Sequence, residues 1–328
     1  ALRAVGDVSS PALSWASPIG WAQATHVYAG DRWWALLPAV AVFPLLLVAG
    51  FHLSTRRDVG AGLRAPRPGP ADASDLLAHP LGFAFRLHRA GLIGWSAALL
   101  LLGAMYGSVL GESEQMLTQI QSLEEFLPEV SGVSVIESFA AMIVTVMAII
   151  ASVYAVLAAL RVRSEETAGR AEPVLATRLP RTRWVACHFV VSAAGGTGVL
   201  LAGGLGLGLA GAASTGDAGL LPRLLGASLA YAPALWVTAG VVVLLFGVLP
   251  RAIKLAWVVV AYSYVVVYMG GILQLPGWMA NLSPFGHVPQ VPAEGLSLVP
   301  LAGLALVAVA LTGAGVAAFR RRDLQSAT

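Results

Sequence analysis

The sequence predicts an all-α, polytopic transmembrane helical bundle. Three observations carry that reading: the apolar composition, the number of charge-free runs long enough to cross a bilayer, and the distribution of arginine between alternate loops. Hydrophobic residues make up 57% of the 328 and charged residues only 11%, alongside 36 glycines. A soluble protein of that composition could not cover its surface with polar groups. A hydrocarbon core about 30 Å thick takes roughly 20 apolar residues of helix, and seven stretches reach that length. They read as helices because lipid offers backbone groups no partners. Barrel strands would alternate in segments of about ten residues, whereas LLLLGAM (99–105) and VVVLLF (241–246) are continuous runs.

The first span, 33–54, follows GDRWW and ends at TRRDV. The second, 90–111, is preceded by HPLGFAFRLHRAG, where Leu81, Phe85 and Leu92 fall on one helical stripe with Arg86 and Arg89 elsewhere. Residues 80–89 are therefore either an interfacial elbow helix or the opening turns of span two. The third span, 138–160, runs into a charged island. The fourth, 185–213, contains Gly206, Gly208 and Gly211 in a G-x-G-x-x-G pattern, but inside an apolar run with no βαβ context. Gly204 and Gly208 form a G-x-x-x-G step that would let helices approach closely. The fifth, 224–248, carries Trp236. The sixth, 255–275, places Trp257, Ala261, Tyr264 and Tyr268 at i, i+4, i+7 and i+11. Trp236, Trp257, Tyr264 and Tyr268 are candidates to line a path for flat, amphipathic molecules, with helix packing or an interface belt as the plainer use of such a stripe. The seventh span is 297–319. Trp33, Trp34, Trp184 and Trp278 read as interface anchors.

Arginine and lysine favour cytoplasmic loops. Placing the loops after spans one, three, five and seven inside collects 17 of the 20, leaving only Arg3, Arg32 and Arg223 outside. The opposite side holds Glu112, Glu114, Glu124, Glu125 and Glu129. The expected topology is multi-pass, with a cytoplasmic C-terminus. The net charge of +3 reflects this asymmetry, and no basic patch interleaved with aromatics points to nucleic acid.

The stretches beginning SPIGWAQ (17–23) and SPFGHVP (283–289) resemble each other. Each opens a Pro/Gly-containing outer segment, leads into a span and ends in arginines plus aspartate, Ser17 to Arg56 and Ser283 to Arg321 being 39 and 38 residues apart. They read as equivalent last spans of two halves. The organisation expected is an outer segment and final span of a first half over 1–60, a cytoplasmic linker over 61–79 rich in Gly, Pro, Ala and Asp, and a complete six-span unit over 80–328. About five spans of the first half would then be missing.

The island, RVRSEETAGRAEPVLATRLPRTRW (161–184), holds nine charged residues. Positive-inside residues would explain its arginines but not Glu165, Glu166 and Glu172. Ser164 followed by two acids offers a helix cap, and Pro173 and Pro180 bound a second short segment, VLATRL. The reading is a compact charged helix projecting from the membrane as a docking feature.

This stretch resembles the intracellular segment between the second and third spans of ABC transporter permeases of the type-2 exporter class, where E-E-x-x-G-R-x-E-P-x-L-A-T and R-x-R-W recur. The resemblance is strongest to the actinobacterial tetronasin-type exporters of polyketide antibiotics. It extends through GDRWW (30–34), RRDVGAG (56–62) and LSPFGHVP (282–289). The resemblance implies a twelve-span permease of two halves that works with a separate ABC ATPase subunit dimer, which binds the ATP and Mg. It also implies a coupling segment over 161–184, containing Glu165, Glu166, Gly169, Arg170, Glu172, Pro173, Leu175, Arg181 and Arg183, and an extracellular cap over 276–292. The location it implies is a bacterial inner membrane, and its partners would be the ATPase, the missing first half, membrane lipid and a hydrophobic small-molecule cargo.

The residues themselves agree on the energy source. A Walker-type G-x-x-x-x-G-K-[ST] loop cannot form around Lys254, the single lysine, in RAIKLA. No cofactor, metal site or catalytic residue is indicated: the histidines lack H-E-x-x-H spacing, no serine sits in G-x-S-x-G, and Cys187 is alone. An ion-coupled transporter would need intramembrane acids or histidines; Glu137 and His188 lie near span ends and read as interfacial and structural. A membrane-embedded transferase would have to use Glu112 and Glu114, which a solvated loop explains more simply. The function expected is the permease subunit of an ATP-driven exporter of hydrophobic or amphipathic compounds working by alternating access, and not an enzyme by itself.

Overall fold

The computed structural model describes residues 15, 17–56, 72, 74–119 and 135–322, with the side chains of 78, 112–119 and 135 not described. Residues 61–71 and 73 of the expected linker 61–79, the acids Glu124, Glu125 and Glu129, and the side chains of Glu112 and Glu114 therefore lie outside the described residues. All seven expected spans are helices long and apolar enough to cross a membrane: 33–55, 80–111, 136–167, 181–215, 220–248, 250–268 and 298–320. No strand occurs among the described residues. The chain divides into two units, Ala1–Ala73 and Ser74–Thr328.

The first unit contains a short helix, Pro18–Gln23, a 3-10 turn, Trp33–Leu36, and the first span proper, Leu37–Thr55. Ser17 is extended ahead of a proline in the opening turn, which suits a residue whose own N–H a helix start would leave unpaired. Ser283 is extended in the same way ahead of the 3-10 turn Pro284–His287, and the last span, Leu298–Arg320, follows. The two SP-containing stretches share an extended serine ahead of a proline and then differ: Pro18–Gln23 is α-helical and Ser17 makes no side-chain cap, whereas Pro284–His287 is a 3-10 turn in which the Ser283 hydroxyl accepts from the Phe285 N–H.

In the second unit, spans three and five are the central helices, each with 67% of its apolar window buried, against 17% for spans two and seven. Spans two and four pack along their length, and so do five and seven. Backbones meet at the first of these seams: a Cβ on Gly103 would lie 2.1 Å from the Gly203 carbonyl oxygen, so no larger residue fits there. The expected role of Gly204 and Gly208 holds as well. Gly204 abuts Ser228 and Gly208 abuts Leu221, on the short helix Leu220–Ala230 that opens span five.

Span five is two helices, Leu220–Ala230 and Ala232–Val248, divided at Tyr231 with Pro233 in the first turn of the second. Proline lacks the N–H that would continue the ladder. Tyr231 shares a 2.6 Å hydrogen bond with Thr145 of span three and stacks on Phe285, with centroids 6.5 Å apart.

Three expectations are corrected. Residues 80–89 are not a separate elbow helix: one helix runs unbroken from Pro80 to Gln119. Its first turns stay in line because Ala84 is buried against Cys187 and Val191 of span four and His88 meets His188. Span six is not a uniform α-helix to 275. It passes from a 3-10 turn, Pro250–Leu255, through an α-helix, Ala256–Ser263, to a π-helical end, Tyr264–Tyr268. Trp184 is not an exposed anchor: it is 4% exposed, between His188 and Phe319, whereas Trp33, Trp34 and Trp278 are exposed.

The segment between spans six and seven folds back on the bundle. Ser283 donates to Ser263 at 2.8 Å, Tyr262 donates to the Met279 carbonyl at 2.8 Å, and Phe285 is buried.

Candidate functional site

The charged island is built from the end of span three outward. Its helix does not begin afresh at Ser164: the span helix, Val135–Thr167, carries straight through that residue. Arg161–Glu165, at i,i+4, and Arg163–Glu166, at i,i+3, lie on neighbouring turns and extend the helix beyond its apolar part. Gly169, at φ +69°, then ends it in the left-handed conformation, its N–H bonding back to the Glu166 carbonyl at 3.0 Å. The second short helix is Ala171–Leu175, so Pro173 lies within it rather than before it. Proline is tolerated there because an N–H in the first turn has no intrahelical acceptor. Residues 176–178 form a turn, and Arg181 starts span four.

The nine residues expected to form a docking surface divide into two sets. Glu165 and Glu166 are buried, at 7% and 2% exposure. Arg170 grips Glu165 with two bonds, Nε to Oε2 at 2.7 Å and Nη2 to Oε1 at 3.2 Å, while Arg161 adds a third contact at 3.3 Å. The hydrogen bond to Glu165, and then the attraction of its charge, push the Arg170 guanidinium further above its already high pKa. Glu166 accepts from Arg163 at 2.9 Å and from Arg322, beyond the last span, at 3.0 Å. These two acids are structural members of the knob and not its face. Glu172, Pro173, Arg181 and Arg183 are exposed, together with Ala176, Thr177 and Arg178; Gly169 and Leu175 are half-buried. The outward surface is one acid among several arginines.

Arg322 and its surroundings were not legible as a site. Its guanidinium carbon stands 5.0 Å from the Phe246 ring centroid and 5.2 Å from that of Phe319, within the range of a cation–π contact. Arg181 donates from Nη1 to the Arg322 carbonyl at 3.0 Å. Phe319 neighbours Trp184, Trp184 lies edge-on to His188, and His188 Nδ1 is 3.3 Å from His88 Nε2. The ends of spans three, five and seven and the starts of spans two and four meet in this cluster. Sequence marked Arg322 as one of a positive cluster, Trp184 as an interface anchor and His188 as structural, with nothing to join them. At the other end of the bundle Arg223 pairs with Glu137 at 3.2 Å and with Asp217, tying span five to span three.

The four candidate cargo residues are not brought together. Trp236 lines an apolar groove of about 300 Å³ between spans four, five and seven, with Phe189, Val190, Ala193, Ala308 and Val309 among its walls. Its indole N–H is already bonded to Thr197 at 3.1 Å, so the groove asks nothing polar of an occupant. Trp257 packs on the core without reaching this groove. Tyr264 and Tyr268 stack on each other, with centroids 5.4 Å apart, in the π-helical end of span six. The wider π turn breaks the 3.6-residue register on which the four-residue stripe depended. Among the described residues no cluster of His, Cys, Asp and Glu could hold a metal ion.

Residues 77–320 match the family described as "Multidrug efflux system permease Rv1217c, C-terminal domain". Over 327 residues, or 99% of its length, the chain is 38% identical to the multidrug efflux system permease protein Rv1217c of Mycobacterium tuberculosis (strain ATCC 25618 / H37Rv). The chain spans 60% of that relative's length.

Proposed function

Because the chain belongs to the family of multidrug efflux system permeases typified by Rv1217c, we propose that it is the membrane-spanning subunit of an ATP-driven exporter, docking a separate ABC ATPase dimer on residues 168–183. The observation that carries this reading is the construction of that segment. It is a short knob bearing five charged side chains at the end of span three, one of the two central spans, held in one shape by Glu165 and Arg170, with Glu172 and Arg178 left facing outward. Such a part transmits force: a load on the knob moves a helix at the centre of the bundle. In this proposal the arginine-rich end is cytoplasmic, the segment 276–292 is extracellular, and the ATPase holds the ATP and Mg. Alternating access then follows from ATPase closure biasing the spans between two packings.

The proposal includes a first half of the permease. The sequence correspondence of residues 17–23 and 283–289, each opening on an extended serine ahead of a proline, supports it. We assign the cargo to hydrophobic or amphipathic compounds, with polyketide antibiotics as the narrower expectation from the resemblance to tetronasin-type exporters. The groove beside Trp236 supports an apolar contact for them, since it is concave and lined by apolar side chains from three spans.

The test is reconstitution of the full-length permease with a candidate ATPase in proteoliposomes. ATP hydrolysis should rise with permease present, and ATP should drive accumulation of a hydrophobic dye. An ATPase that neither binds the permease nor responds to it defeats the reading. Ala308→Trp, which fills the groove, should lower apparent dye affinity about tenfold, as expected for losing roughly 1.4 kcal/mol of contact, while hydrolysis without dye is retained.

A further inference from the structure

Building on the exporter reading, we propose that Arg322 is a positioning residue: with Glu166 it forms a releasable latch between the last span and the knob. The two acids of the island hold their arginines differently. Glu165 and Arg170 are five residues apart and joined by two bonds, which fixes the knob's own shape. Glu166 and Arg322 are 156 residues apart and joined through a single nitrogen, Nη2. Arg322 Nε and Nη1 are buried and have no hydrogen-bond partner among the described residues, and the Phe246 and Phe319 rings lie near the guanidinium.

That arrangement is a poor source of stability. A buried ion pair recovers its desolvation cost only with full hydrogen bonding, and an apolar pair of similar volume serves stability equally well or better. A guanidinium held to its acid through one nitrogen is suited to being held in one packing and released in another. Its geometry gives it leverage, because its main-chain carbonyl takes a second bond from Arg181, where span four begins. Release of Glu166 would free the end of span seven from span three while leaving Arg163 on the acid. The knob would then move with or without span seven, depending on the latch.

The test uses the full-length permease with Cys187 replaced by alanine and spin labels on cysteines at the exposed positions Arg178 and Arg320. The wild-type latch should give one narrow distance distribution. Arg322→Met should broaden it, Arg322→Lys should keep it narrow by preserving the charge, and Glu166→Gln should broaden it without removing the side chain's shape. With the partner ATPase, Arg322→Met should continue to hydrolyse ATP while exporting about tenfold less dye per ATP, within the usual span of coupling between two sites. An unchanged distribution in Arg322→Met and Glu166→Gln overturns the latch, and so does a lysine variant as broad as the methionine one, since the role would then be packing. Absence of ATP-driven export in the wild type would count against the exporter reading alone, because the distance measurement decides the latch without it.

Discussion

Glu166 and Glu172 have the same side chain six residues apart, and only one of them is available to a partner. Glu166 is 2% exposed between two arginines, whereas Glu172 is exposed. Glu166→Ala leaves Arg163 and Arg322 short of their counter-charge and should lower stability by about 3 kcal/mol, read as a fall in the thermal unfolding midpoint in detergent. Glu172→Arg should leave that midpoint within about 0.5 kcal/mol of wild type yet abolish stimulation of the ATPase; equal stimulation would remove Glu172 from the proposed docking face. Tyr154 makes the opposite case. It is 3% exposed, and its hydroxyl has no hydrogen-bond partner among the described residues. Tyr154→Phe should therefore raise stability by about 1 kcal/mol. Neither the burial of Glu166 nor the isolation of the Tyr154 hydroxyl was legible in the sequence. The acid's second partner is 156 residues away, and no local pattern reports which face of a span is turned inward when both faces are apolar.

At the level of elements, the spans were legible because length and lack of charge decide them, and the ends were not because ion pairs and packing decide those. The span-three helix outruns its apolar run by the turns that Arg161, Arg163, Glu165 and Glu166 hold together. The helix from Pro80 starts early because Ala84 and His88 pack on span four. The π-helical end of span six leaves no trace in YVVVY, and the face drawn through Tyr264 and Tyr268 failed with it. The close approach of span four to the opening helix of span five was announced by Gly204 and Gly208, whereas the seam between spans two and four, at Gly103 and Gly203, was not. Gly103→Val would place a side chain against the Gly203 carbonyl and should lower stability by about 3 kcal/mol, the upper end of overpacking costs. Gly94→Ala, with nothing within 4 Å of the added carbon, is the control and should be neutral. Equal melting of the two variants would show that the helices separate at little cost.

At the level of the whole molecule, the arginine asymmetry that organised the sequence reading corresponds to a real cluster: the island, the end of span seven and the start of span two meet around Glu166, Arg322 and His88. The proposed orientation makes a direct prediction. In intact cells a cysteine at Trp278 should react with a membrane-impermeant maleimide while one at Arg178 should not, both positions being exposed on the protein. Labelling at 178 alone would invert the topology and remove the ATPase from the face assigned to it. The groove beside Trp236 belongs to this scale too, since three spans from distant parts of the chain make it; sequence named one wall and could not name the others.

The glycine contacts between spans two and four also constrain motion. Helices whose main chains touch have no intervening layer of side chains to slide on, and a turn of either one would drive a carbonyl into its neighbour. The pair therefore behaves as a single beam. In the proposed transport cycle, bending would be absorbed at an articulated part instead, and the fifth span, already jointed at Tyr231, supplies one.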